Sequence, residues 1–293
     1  MKLLRIRHIT RYRYARPVRF GEHRMMLRPR EDPDQALLSE LLRITPEPVD
    51  LRIEQDGHGN FVAVARFSGA ANELCFDSEL VVERKAEAAP PIPPLPGLTP
   101  FPVRSPLSDL GVARWSLGFL GRRRAAGLAV VAAMNAHIHK NFSYRRRLES
   151  GVQTPEQTLE LRSGACRDFA MLIVEAAKVL GLQARFVSGY VHCPEVDDEP
   201  VRRGGGHTHA WAQVLTPEAG WVDFDPTSGR VGPDGLVRVA VADEPRDALP
   251  IQGVYMGAAD DFLGMHVEVD VRVAGKHPRP AFAVEPLPMW SVA

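Results

Sequence analysis

The stretch SGACRDFAMLIVEAAKVLG, Ser163 to Gly181, decides how this chain is read. A small-residue turn, Ser163-Gly164-Ala165, leads into an apolar run from Phe169 to Leu182 that predicts a helix ended by Gly181. Cys166 sits where that helix begins. A helix start leaves backbone N–H groups unpaired and carries the positive end of the helix dipole, which favours a thiolate over a thiol. The small residues before it leave room for a tight turn and for a substrate to approach, and the N–H of Cys166 is placed to face an oxyanion. A free cysteine also serves well as a small buried hydrophobe. The stretch alone leaves three readings open: nucleophile, metal ligand or core residue.

The residues downstream narrow the choice. ARFVSGYVHC from Ala184, HAWAQVLT from His209 and GWVDFDPT from Gly220 read as strands, followed by VRVAVAD from Val237 and MHVEVDVRV from Met265. A thiolate in acyl transfer needs an imidazole to exchange the proton and a third group to orient that imidazole. His207 and His209 lie at the start of one strand, and Asp223 and Asp225 lie on the next. Histidine on one strand with aspartate on its hairpin neighbour is the geometry for an imidazole held by a carboxylate. Zinc accepts these ligand types, but no second cysteine lies close to Cys166, so no metal is expected.

The rest of the chain sets the frame. Its 293 residues suffice for two domains, and 36 basic residues balance 36 acidic ones. No overall field points to nucleic acid or to an anionic membrane, so neither is an expected partner. Cys75, Cys166 and Cys193 cannot all pair, and the amino-terminal residues lack a continuous apolar segment, so a cytoplasmic protein is expected. Residues 1–87 alternate apolar and basic or polar residues with period two, which predicts an antiparallel β domain, a sandwich, with Cys75 in its core. Residues 88–106 hold eight prolines and read as an extended linker. Residues 107–275 form the second domain, with a helix over 122–140 and another whose Thr154 cap precedes Pro155; 276–293 read as a tail. The fold class is α+β.

GACRDFAMLIVEAAKVLGLQARFVSGYV, HTHAWAQV and GWVDFDPTSG resemble the three core blocks of the transglutaminase-like superfamily of papain-like cysteine enzymes. The amino-terminal strands resemble the β domain that precedes this core in a bacterial subgroup. The resemblance implies a papain-like core with Cys166 as nucleophile, His209 as base and acid, and Asp225 as the orienting carboxylate. It implies cleavage or transfer at an amide carbonyl of a peptide or protein through a thioester, without a cofactor. Hydrolysis, transfer to an amine, and peptide binding without turnover all remain open. Tyr144 and Tyr190 are candidate oxyanion donors, and Trp211 a candidate wall of the substrate groove. Arg167 stands where the subgroup usually has glutamine, adding positive charge beside the thiol. ADEPRDALPIQGVYMG, from Ala242, keeps only the second half of the subgroup's carboxyl-terminal block.

Overall fold

The computed structural model describes residues 2–85, 90–92, 111–121, 126–147, 149, 151–192 and 208–274. The Pro-rich linker beyond residue 92, the tail, Cys193 and His207 lie outside them. The amino-terminal part carries β1 (Lys2–Met25), β2 (Gln35–Thr45), β3 (Asp50–Gln55), β4 (Phe61–Arg66) and β5 (Ala71–Arg84). The first half of β1 pairs antiparallel with β5 and its last residues with β4, while β2 borders β5 and β3 borders β4. The ladder between β1 and β5 breaks between Arg13 and Val18, around Pro17, which has no N–H to donate. There β1 passes from one sheet to the other. Tyr14, Val18, Phe20, Met25, Leu74 and Phe76 fill the space between the two layers, as the expected sandwich requires. In β5 the even-numbered residues from Leu74 onward point inward, leaving Cys75 half-buried on the other face and not in the core.

The second part runs α1 (Gly111–Leu120), α2 (Leu128–Asn141), β6 (Ser143–Tyr144), α3 (Pro155–Leu161), β7 (Ser163–Gly164) and α4 (Cys166–Val179). An antiparallel sheet follows, built of β8 (Ala184–Val191), β9 (His209–Thr216), β10 (Gly220–Asp225), β11 (Arg230–Val231) and β12 (Leu236–Ala242), in the order β11-β10-β9-β8-β12. Sequence pattern did not predict α1, and it began α2 six residues early. In α3 the Thr154 hydroxyl accepts from the Gln157 N–H, the Gln157 side chain accepts from the Thr154 N–H, and Pro155 takes the first position. Phe169, Leu172, Ile173, Ala176 and Ala177 of α4 recur at helical spacing. They pack with Trp115 and Phe119 of α1 and with Ala212, Val214, Val222 and Phe224 of the sheet. Burial of each large side chain contributes about 1.5–3 kcal/mol. No described helix is long and apolar enough to cross a membrane.

The last two strands, β13 (Ile251–Met256) and β14 (Phe262–Val273), leave the second part and return to β1. They complete two four-stranded layers, β2-β5-β1-β14 and β3-β4-β1-β13. Residues placed by sequence in 107–275 are thus sheet partners of the amino-terminal strands. Tyr190, Val237 and Val239 pack against Leu4, Ile6, Leu80, Val82 and Val269, joining the two parts through apolar contact. A buried polar knot lies beside it. Arg238 pairs with Asp34, with Asp32 at 2.9 Å and with Asp223 at 2.7 Å, and Arg84 pairs with Asp34 at 3.0 Å.

Candidate active site

Cys166 is the first residue of α4, after Ala165 in extended conformation at the N-cap. Alanine has no side chain with which to cap, so the cap comes from inside the helix. The Asp168 carboxylate reaches back to accept from the Ala165 N–H at 2.8 Å, and its other oxygen accepts from the Gln153 N–H at 2.8 Å and from Arg147 at 2.7 Å. A Cβ on Gly164 would lie 2.9 Å from the Asp168 Cβ and 3.1 Å from the Gln153 side chain. Gly164 therefore makes room for this cap and not for a substrate. The Asp168 N–H donates to the Ala165 carbonyl at 3.0 Å, and the amides of Cys166 and Arg167 have no acceptor among the described residues. Cys166 is half-buried and forms no disulfide among the described residues.

His209 opens β9 and Asp225 closes β10, two strands that pair up to Phe224 opposite Ala212. The Asp225 Oδ2 stands 3.0 Å from the His209 Nε2, and both side chains are 1% exposed. Asp225 also accepts from the Thr227 N–H at 3.0 Å and from the Ser228 hydroxyl at 2.6 Å. Neither imidazole nitrogen makes a well-aligned hydrogen bond, and the Cys166 side chain lies within the imidazole's reach. Burial opposes charge on His209, but the Asp225 carboxylate and then the Cys166 sulfur outweigh it and hold the ring well above its ordinary value. Burial likewise works against the charged form of Asp225, yet His209, Ser228 and Thr227 bring that carboxyl below its usual range. Such an arrangement stabilises an imidazolium between a carboxylate and a sulfur.

The remaining candidates divide. Tyr144 pairs with Gly164 across β6 and β7, and its phenol is pushed up to about 12 by burial and then by the charge of Cys166. It stays a neutral donor near the thiol. Arg167 is turned aside: its guanidinium donates to the backbone carbonyl of Glu149 at 2.6 Å and, more weakly, to that of Arg147. Tyr190 is fully buried and hydrogen-bonds His8 at 3.1 Å and the Leu27 carbonyl at 3.2 Å. Its hydroxyl belongs to the contact with the amino-terminal sheets and is no oxyanion donor. Trp211 is fully buried too, so it walls no groove. Its ring stacks on His209 with centroids 6.1 Å apart, and its Nε1 donates to Asp223 at 2.8 Å.

Two residues that sequence reasoning did not single out support this geometry. Gly189 lies opposite His209 in the sheet, and a Cβ there would fall 2.1 Å from the Val237 carbonyl oxygen and 2.9 Å from Trp211. Arg238 grips Asp223, which in turn holds Trp211. A glycine inside an apolar strand pattern was the available signal for the first. Nothing local signalled the second.

Comparison with known proteins agrees with this architecture. Residues 4–83 match the bacterial transglutaminase-like N-terminal region, and residues 121–226 match the transglutaminase-like superfamily. An uncharacterized protein of Mycobacterium tuberculosis is 26% identical over 90% of this chain and 91% of its own. One from Mycobacterium leprae is 25% identical over 91% and 98%. The crystal structure of a candidate cysteine protease from Cytophaga hutchinsonii superposes with a TM-score of 0.64 at 22% identity, covering 94% of this chain and 93% of that one, and so shares its fold. The strands, the helix bearing the cysteine and these matches lead to one assignment: the chain belongs to the transglutaminase-like superfamily.

Proposed function

We propose that this protein is a cysteine hydrolase acting on amide bonds of peptides or proteins, with Cys166, His209 and Asp225 as its catalytic residues. The carrying observation is the buried imidazole held 3.0 Å from the Asp225 carboxylate with the helix-start thiol within its reach. The Cys166 thiolate attacks the carbonyl carbon, and free amides at the start of α4 receive the oxyanion. His209 gives its proton to the departing amine nitrogen as the C–N bond breaks, leaving a thioester. Water then attacks the thioester carbon, His209 takes the proton from that water, and the C–S bond breaks to return the thiolate and a carboxylic acid. Tyr144, kept neutral near Cys166, serves as a further donor to the oxyanion.

Transfer to an amine differs only in which nucleophile meets the thioester. Hydrolysis is favoured because water needs no dedicated channel, whereas transfer must exclude it. Incubation with a glutamine-containing peptide, with and without a primary amine, tests the choice. Ammonia release without amine supports hydrolysis, and release that requires amine shows transfer. No release by wild-type protein would leave a peptide-binding module. Cys166→Ala should abolish either activity with the thermal midpoint preserved.

A further inference from the structure

Trp211 separates His209 from Asp223, and Asp223 lines a cleft of about 480 Å³ between the Asp32–Asp34 segment and the strand surface of β8 to β10. Arg185 stands in that cleft, opposite Gln213 on the neighbouring strand. Its Nε donates to the Gln213 side chain at 2.9 Å, and its guanidinium lies 4.2 Å over the ring of Trp221, which is 40% exposed. These contacts hold the plane of the group and leave both terminal nitrogens without a protein acceptor among the described residues. Among the described residues no nearby carboxylate is free to serve them. Asp223 is taken by Arg238 and Trp211, Asp34 by Arg238 and Arg84, and Asp32 by Arg238 with Arg30 at 3.8 Å.

Among the described residues four guanidiniums thus face three carboxylates, and the excess cation is the one that projects its fork into the cleft. Burial and then the charge of Arg30 push the Arg185 guanidinium below its ordinary value, so an arriving anion relieves an existing imbalance. A free, planar fork beside an aromatic ring is a bidentate site for a carboxylate. We propose that this cleft binds a monoanionic organic carboxylate, held by the two terminal nitrogens of Arg185, with its carbon body against Trp221, Pro33 and Pro233. A dianion is disfavoured, because the surplus is a single charge and three aspartates line the same space. The bound group lies behind Trp211 and apart from Cys166, so it is a second site and does not depend on the proposed hydrolysis.

Isothermal titration of the full chain with N-acetylglycine tests this, with N-acetylglycinamide and inorganic phosphate as comparisons. Saturable one-to-one binding of the carboxylate in the micromolar to millimolar range is expected for wild type and equally for Cys166→Ala, with none for the amide. Arg185→Gln should weaken it at least tenfold, and Arg185→Lys several-fold through loss of the fork, each with its thermal midpoint checked. The proposal is overturned by the absence of saturable binding, by phosphate binding as tightly, by unchanged affinity in both Arg185 variants, or by loss of binding in Cys166→Ala, which would place the ligand at the thiol.

Discussion

Asp225→Asn isolates the charge that holds His209. The substituted amide keeps an oxygen for the Thr227 N–H and a polar partner for Ser228, so the turn after β10 is retained. What is lost is the carboxylate 3.0 Å from a fully buried imidazole. Unit charges at that separation, in an effective dielectric of about 20, attract by about 5 kcal/mol. With that attraction gone, burial pulls the ring down and only the weaker influence of the Cys166 sulfur still opposes it. The imidazole becomes neutral near pH 7, and the thiolate loses its counter-ion. A thiol with a pKa near 8.5 is more than a hundredfold less ionised at pH 6 than at pH 8.5. Iodoacetamide labelling of Cys166, followed by peptide-resolved mass spectrometry to separate it from Cys75 and Cys193, measures the difference. Wild type should label at pH 6 at a sizeable fraction of its rate at pH 8.5, and Asp225→Asn should fall about a hundredfold at pH 6 while differing little at pH 9. Equal rates at pH 6 in the two proteins would refute the ion-pair reasoning.

Three further outcomes concern the scaffold. Gly189→Ala forces a methyl group onto the Val237 carbonyl and Trp211, so thermal unfolding should show a loss of about 2 kcal/mol or more, with reduced Cys166 labelling as the imidazole is displaced. Arg147→Met leaves the fully buried Asp168 carboxylate without its cation, and urea unfolding should show about 3 kcal/mol of destabilisation; no change would mean that the two backbone donors alone satisfy it. His8 is pushed down to about 4 by burial, below its unfolded value, so its contribution is intact above pH 6.5 and is lost as the pH falls toward 4. That loss is about 3 kcal/mol. His8→Gln, measured by urea unfolding at pH 7.5 and 4.5, should show a smaller acid-induced drop than wild type.

The legible parts of this fold were those written in local chemistry. The cap at Thr154, the helix that starts at Cys166 and the strands bearing His209 and Asp225 each carry a pattern within a dozen residues. Long-range pairing has no such trace. The run from Met265 alternates as any strand does, and nothing in it states that its partner is β1, more than 250 residues away. Helix α1 follows a proline-rich stretch, and its Trp115 and Phe119 find their place only against α2 and α4. Trp211 was a candidate wall of the groove because it lies two residues from His209, and Tyr190 was a candidate oxyanion donor. Strand direction sent both into the interior, where their polar atoms bond to His8, Leu27 and Asp223.

The amino-terminal sheets take part in the geometry of the site through these buried contacts. His209 rests on Trp211, Trp211 is fixed by Asp223, Asp223 is gripped by Arg238, and Arg238 is anchored to Asp32 and Asp34 before the start of β2. Gln35 adds two bonds to the backbone of Arg238, accepting from its N–H at 3.1 Å and donating to its carbonyl at 2.8 Å. From Trp211 through Asp223 and Arg238 to Asp34 and Gln35 the links are buried, with only Asp32 partly exposed, so a shift at one end is poorly absorbed by solvent. An imidazole that must stay aligned with both a thiol and a carboxylate benefits from a backing that cannot slide. On this view the amino-terminal domain and the returning strands β13 and β14 form one clamp, and the second part of the chain cannot be separated from the first without loosening the ring at His209.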